Sequence, residues 1–272
     1  MAVQRKPPPT VLLHGEAKIG KTTLMSKLLQ GALYVQTKED VTAPVKVIMD
    51  DPPAGWEPPR KIVTITQQGL VSPEGEVLMP GAWAAFVWLL NEYVNGKYQN
   101  YRALVVDESN TMLDYIFADM QAGGTFVSRG GKQNAFAVYG GVAELVRFLL
   151  SVPGRTNRPL GMVAHTGAAQ LFEEGPMAGK FKAKAGPKAP SANISKEIVA
   201  NATIVGRLVL ALAKDQKASL SASEMDEVYT RMMLTGAHPL YEQGSRESRL
   251  PPVVNIETTD LHKMLVDFGW PL

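Results

Sequence analysis

The stretch "HGEAKIGKTTLM", residues 14–25, decides how this chain is read. It follows "TVLLH" (10–14), a compact apolar run of the kind that forms a strand buried on both faces. Pro7, Pro8 and Pro9 keep the chain extended ahead of it. "KTTLMSKLLQ" then places Leu24, Leu28 and Leu29 at helical spacing, with Gly31 as a stop. Strand, glycine-bracketed turn and helix in this order make an anion cradle. The glycines let backbone amides curl around phosphate oxygens, and the helix N-terminus points at them. Gly15, Glu16, Ala17, Lys18, Ile19, Gly20, Lys21 and Thr22 fit the pattern G-x-x-x-x-G-K-[ST], and Thr23 completes the set facing a nucleotide. In that pattern Lys21 reaches the β and γ phosphates of ATP, and the Thr22 hydroxyl binds Mg²⁺.

Hydrolysis needs more than a cradle: a carboxylate for the metal and a group to orient water. "YRALVVDES" (101–109) offers both. Ala103 to Val106 suit a central parallel strand, and Asp107 sits at its C-terminal end, where open α/β sheets bind ligands. Asp107 is the metal carboxylate. Glu108 polarises the attacking water, or else is an acid at a helix N-terminus followed by a Ser109 cap. A further core strand is expected in "RPLGMVAHTGA" (158–168), ending at His165 and Thr166. His165 is placed to sense the γ-phosphate, as a polar residue does at this point of P-loop ATPases. The alternative is a histidine bonded to backbone.

With 272 residues, 45% apolar and 20% charged, the chain suits one α/β domain with insertions spanning 1–272. Lys+Arg of 28 against Asp+Glu of 26 gives a net charge of +2, so any basic site must be local. Without cysteine there is no disulfide, thiolate metal site or cysteine nucleophile. Apolar runs such as "AWAAFVWLL" (82–90) are shorter than a membrane span, and the N-terminus lacks a signal-like apolar region, so a cytoplasmic protein away from membranes is expected.

Along the chain, "VKVIMDDPP" and "KIVTITQ" read as short strands, and "GAWAAFVWLLNEYVNG" as a helix facing inward through Trp83, Phe86, Val87, Leu90 and Val94. The Pro-rich 50–60 stretch is a loop whose Asp50 and Asp51 are solvated turn acids, or else acids lying near the nucleotide. A helix with Met112, Leu113, Ile116 and Met120 inward follows Asp107, and another carries Val142, Leu145, Val146 and Leu149. "ISKEIVANA" is a short helix, "GRLVLALA" and "YTRMMLTGA" are strands, and "ETTDLHKMLVDFG" is a helix capped at Thr258 or Thr259. Together these make a doubly wound, mostly parallel sheet flanked by helices.

The cradle, the "VVD" strand end, "YGGVAELVRFLL", "GMVAH", "KAGPKAPSANISKEIVANATIVGRLVL" and "MMLTGAHPLYEQGSRES" resemble the bacteriophage RecA-like P-loop ATPases of the single-strand annealing and recombinase group, over about residues 10–250. Members often end the second strand with Asp-Ser, whereas this chain has Asp107-Glu108-Ser109. RecA-like enzymes also take the catalytic carboxylate from an earlier strand, which leaves Glu108 or another acid as the base. The resemblance implies a homo-oligomer acting on single-stranded DNA in recombination or replication, with a phage single-strand-binding protein as a further partner. It puts two mobile DNA-binding loops at 121–134 and 167–193. Both are glycine-rich and basic, with Arg129 and Lys132 in the first and Lys180, Phe181, Lys182 and Lys184 in the second. Arg231, Arg246 and Arg249 are arginines of which an assembly could aim one at a neighbour's γ-phosphate, the alternative being surface salt bridges. Competing readings are a phage ATPase acting on a protein or packaging assembly, and a nucleotide-gated interaction protein with little hydrolysis.

Overall fold

The computed structural model describes residues 6–37, 44–123, 134–171, 181–212 and 229–272. Strand β1 (Thr10–Gly15) leads into helix α1 (Lys21–Leu28), then β2 (Leu33–Gln36) and α2 (Pro44–Asp50). A meander of β3 (Lys61–Thr66), β4 (Gly69–Val71) and β5 (Val77–Pro80) precedes α3 (Ala82–Val94) and β6 (Leu104–Val106). Helices α4 (Ser109–Ala122) and α5 (Ala135–Thr156) lead to β7 (Leu160–His165), and a small hairpin, β8 (Gln170–Leu171) and β9 (Phe181–Ala183), stands apart from the main sheet. The chain closes with α6 (Ala192–Asn201), β10 (Ile204–Leu212), β11 (Tyr229–Leu234), β12 (Gly244–Ser245), β13 (Val253–Asn255) and α7 (Leu261–Asp267).

Six strands in the order β10-β1-β7-β6-β2-β3 are parallel throughout. Antiparallel strands extend both sides, β4 and β5 beyond β3, and β11 and β13 beyond β10. The central strands are apolar without alternation because helices cover both faces. Leu12, Val106 and Met162 pack with α3, α4, α5 and α6, while Val11, Leu13, Val105 and Val163 pack with α1 and α7. This is the expected α/β P-loop architecture, mostly parallel and doubly wound. The register pairs Gly15 with His165, and β7 lies between β1 and β6. The cradle, His165 and Asp107 therefore leave the sheet at one edge.

Several expectations change. "VKVIMD" is a helix, because Pro44 opens its first turn and Val45 and Ile48 are buried at a spacing of three while Val47 is exposed. In α3 the buried stripe is Ala82, Ala85, Phe86, Leu89, Leu90 and Tyr93, which leaves Trp83, Val87 and Val94 only partly buried on its flanks. Helix α7 is capped by Asp260, whose carboxylate accepts from the Lys263 N–H, rather than by Thr258 or Thr259. The 167–193 stretch is not one continuous loop: it contains β8, β9 and the start of α6. Helix α5 has the length and apolar composition to cross a membrane, yet Val138, Val142, Leu145, Val146, Leu149 and Val152 face the core.

The two ends of the described chain meet at one carboxylate. Buried Glu247 accepts from Lys6, from Arg249 (Nε, 2.9 Å) and from the Trp270 indole N–H (3.0 Å). These donors, Arg249 foremost, hold its carboxyl far below the usual range.

Candidate functional site

Gly15 begins the cradle because nothing larger fits: a Cβ there would lie 2.8 Å from the Leu208 carbonyl oxygen. Lys18 (φ 61°) and Gly20 (φ 89°) adopt left-handed backbone that turns successive N–H groups toward one concavity, and α1 starts at the next residue. Lys21 is buried, and its ammonium donates to the carbonyls of Gly15 (3.2 Å) and Glu16 (2.5 Å). Burial lowers its pKa, against the pull of Asp107, Glu16 and Glu108. A buried cation resting on loop carbonyls at a helix N-terminus suits an incoming anion.

The Thr22 hydroxyl donates to Asp107, 2.9 Å from Oδ2 and 3.2 Å from Oδ1. Asp107 is 7% exposed and is pushed up to about 6, chiefly by burial, while the bonds from Thr22 and from the Glu108 N–H (3.0 Å) pull it down. A hydroxyl and a buried carboxylate, two hard oxygen donors beside a phosphate cradle, fit Mg²⁺, which takes one or two protein oxygens and fills its shell with water and phosphate. Among the described residues no cluster of three or more His, Asp or Glu forms a separate metal centre.

Glu108 takes left-handed backbone (φ 51°), an uncommon state for a non-glycine residue that marks the strand-to-helix turn. Its Oε2 accepts from the Thr37 hydroxyl at 2.7 Å. Thr37 follows β2, the strand beside β6, and is buried. Ser109 is not the cap: α4 begins there, and its hydroxyl donates to the Val163 carbonyl (2.9 Å), fastening α4 to β7. Asn110 Oδ1 accepts from the His165 N–H (3.1 Å). His165 thus stands between the cradle and Asp107, and its carbonyl accepts from the Lys188 N–H (2.8 Å).

One cleft of about 750 Å³ gathers Ala17, Lys18, Gly20, Lys21, Thr22, Thr23, Asp107, Glu108 and His165. Gly15, Glu16 and Ile19 face a second opening on the β10 side of the loop. The structure also lines the first cleft with Thr37, Trp56, Asn110 and Arg231, none of which the sequence reading assigned to it. Arg231 Cδ lies 3.6 Å from where a Gly20 Cβ would be, beside its own chain's loop, and its guanidinium faces Glu257 at 3.5 Å, the ion pair of the alternative reading. Arg246 bonds the Ala200 carbonyl and Arg249 bonds Glu247 and the Phe268 carbonyl, so both are engaged away from the cleft.

Beneath the cradle, buried His14 bonds the Thr166 hydroxyl through Nδ1 (2.9 Å) and the Glu242 carbonyl through Nε2 (2.8 Å). Phe181 and Lys182 lie on β9, and exposed Lys184 follows it, donating to the His238 carbonyl (3.1 Å). Lys184 does not line the cleft. Arg129, Lys132 and Lys180 lie outside the described residues.

A family model described as an AAA domain matches residues 8–246. No curated protein matches the chain. Among solved structures, the chain is similar to a KaiC-like protein from the archaeon Pyrococcus horikoshii, with 15% identity, a TM-score of 0.41, and coverage of 90% of this chain and 82% of that one.

Proposed function

We propose that this chain, which belongs to the AAA domain family, binds ATP in the cleft above β1, β7 and β6 and hydrolyses it in the service of single-stranded DNA. The observation that carries the ATPase reading is the Thr22–Asp107 pair, 2.9 Å apart, beside the buried ammonium of Lys21. On binding, Lys21 exchanges the Gly15 and Glu16 carbonyls for phosphate oxygens, and the loop N–H groups complete the cradle. Thr22 and Asp107 would hold Mg²⁺, which neutralises phosphate charge when bound. Glu108, released from Thr37, orients a water for attack on the γ-phosphate, and His165 reports that phosphate to the chain beyond β7.

The link to DNA rests on the β8–β9 hairpin, whose flanking residues are tied to each other and to the end of β7 through backbone bonds from Gly167 to Gly186 (2.7 Å) and from Lys188 to His165. Lys182 and Lys184 ride on it, and the resemblance to phage recombinases supplies the setting, the homo-oligomer and the single-strand-binding partner. The second reading, an ATPase acting on a protein assembly, gains from Lys184 being engaged with His238 and from Lys188 lying 4.0 Å from Asp114.

Steady-state ATP hydrolysis with and without single-stranded oligonucleotide tests this, with Lys21→Ala as the control. Stimulation by DNA that is lost in Lys21→Ala is the expected result. Turnover indifferent to DNA would select the protein-assembly reading. Glu108→Gln is expected to lower turnover about 100-fold or more while ATP binding persists. If turnover survives that change, the base is another acid.

A further inference from the structure

Past the phosphate loop the cleft runs along α1, where Thr23 and Lys27 line it. Lys27 lies six helical steps beyond Lys21, about 9 Å of axial rise, comparable with the reach from a nucleotide's phosphates to its base. Trp56 lines the same cleft and stands beside Lys27. It is half-buried and belongs to neither hydrophobic core.

Its position is fixed by its neighbours. The Trp56 N–H donates to the Pro53 carbonyl (3.0 Å), closing a turn of the Pro-rich loop. The Glu57 N–H donates to Gln30 Oε1 (3.0 Å), and the Glu57 carbonyl accepts from the Gly31 N–H (3.2 Å), which fastens the loop to the chain just after α1. Arg60 and Arg102 hold the Glu57 carboxylate. Lys27 Nζ lies 5.2 Å from the centroid of the indole. A large aromatic ring held in place on the cleft wall, with no core to fill, has the properties of a stacking platform.

We propose that Trp56 is the stacking wall for the base of the bound nucleotide, a role that rests on the cleft being the nucleotide site. A π-face accepts any base, so adenine and guanine nucleotides are both held, and Trp56 supplies affinity for a nucleoside over a bare polyphosphate.

Calorimetric titration of ATP and of inorganic tripolyphosphate, each with Mg²⁺, into wild type, Trp56→Phe and Trp56→Ala tests this. Trp56→Ala is expected to weaken ATP about tenfold or more, with Trp56→Phe close to wild type and tripolyphosphate nearly unaffected in both. ATP should also quench a component of tryptophan emission that Trp56→Phe lacks. Unchanged ATP affinity in Trp56→Ala, or equal weakening of both anions, overturns the stacking role and leaves the nucleotide site standing. No ATP binding by wild type overturns both.

Discussion

His14 shows how a single buried side chain constrains the site above it. A carbonyl only accepts, so the bond to Glu242 puts the ring proton on Nε2, and Nδ1 accepts the hydrogen bond that the Thr166 hydroxyl donates. A second ring proton would sit against that hydroxyl in a dry interior. Burial is the main reason the pKa falls to about 4; the Glu242 carbonyl opposes the fall, and Arg207 and Lys21 add to it. The folded ring is therefore neutral where the unfolded one, near 6.5, takes up a proton. Its contribution is fully present above pH 6.5 and is lost as pH falls from there toward 4, amounting to roughly 3 kcal/mol. Urea midpoints at pH 7.5 and 4.5 should show this loss in wild type and a flatter profile in His14→Gln. Thr37→Val, in contrast, removes a donor to Glu108 and leaves the cradle intact. It should change turnover several-fold while ATP affinity stays within about twofold, by the same calorimetry.

At the scale of elements, α1 is seated on β7 through Gly161. A Cβ there would lie 2.7 Å from Met25 Sδ and 2.8 Å from Leu29 Cδ1, both buried. Gly161→Ala is expected to destabilise the fold by about 1–3 kcal/mol and, by lifting the helix that begins at Lys21, to weaken ATP binding as well; thermal melting and titration check the two. The cradle was legible in sequence because its eight residues are consecutive and their chemistry is local. The burial faces of α4 and α5 were legible because Met112, Leu113, Ile116 and Met120, and then Val142, Leu145, Val146 and Leu149, keep strict helical spacing. Helix α2 was not, since "VKVIM" supports alternation as well as a helical turn and only its packing decides. The four-residue β2 and the β4–β5 hairpin went unmarked for the same reason: each is too short to carry a period. The wall of the cleft was hidden by distance along the chain. Thr37 meets Glu108 across 71 residues, and Arg231 reaches Gly20 from a strand that only the sheet order brings near.

On the scale of the whole molecule, the cleft is built around the ends of β1, β2, β6 and β7, so the site exists only when the sheet is assembled. Glu247 contributes to that assembly from the opposite end of the sequence, gathering Arg249, Lys6 and Trp270. Its carboxyl pKa is depressed, so its contribution is present above the ordinary glutamate range and is lost on acidification below it. Glu247→Gln should lower the melting temperature at pH 7, corresponding to about 1–3 kcal/mol, with ATP affinity in the folded protein unchanged. The same carboxylate has a topological meaning. Lys6 and Trp270 touch one side chain, so these two points, far apart in sequence, lie within reach of a short linker. Joining them with a short Gly/Ser linker and reopening the backbone at the exposed β4–β5 turn, residues 73–76, would yield a circular permutant with the same sheet, the same clasp and the same cleft.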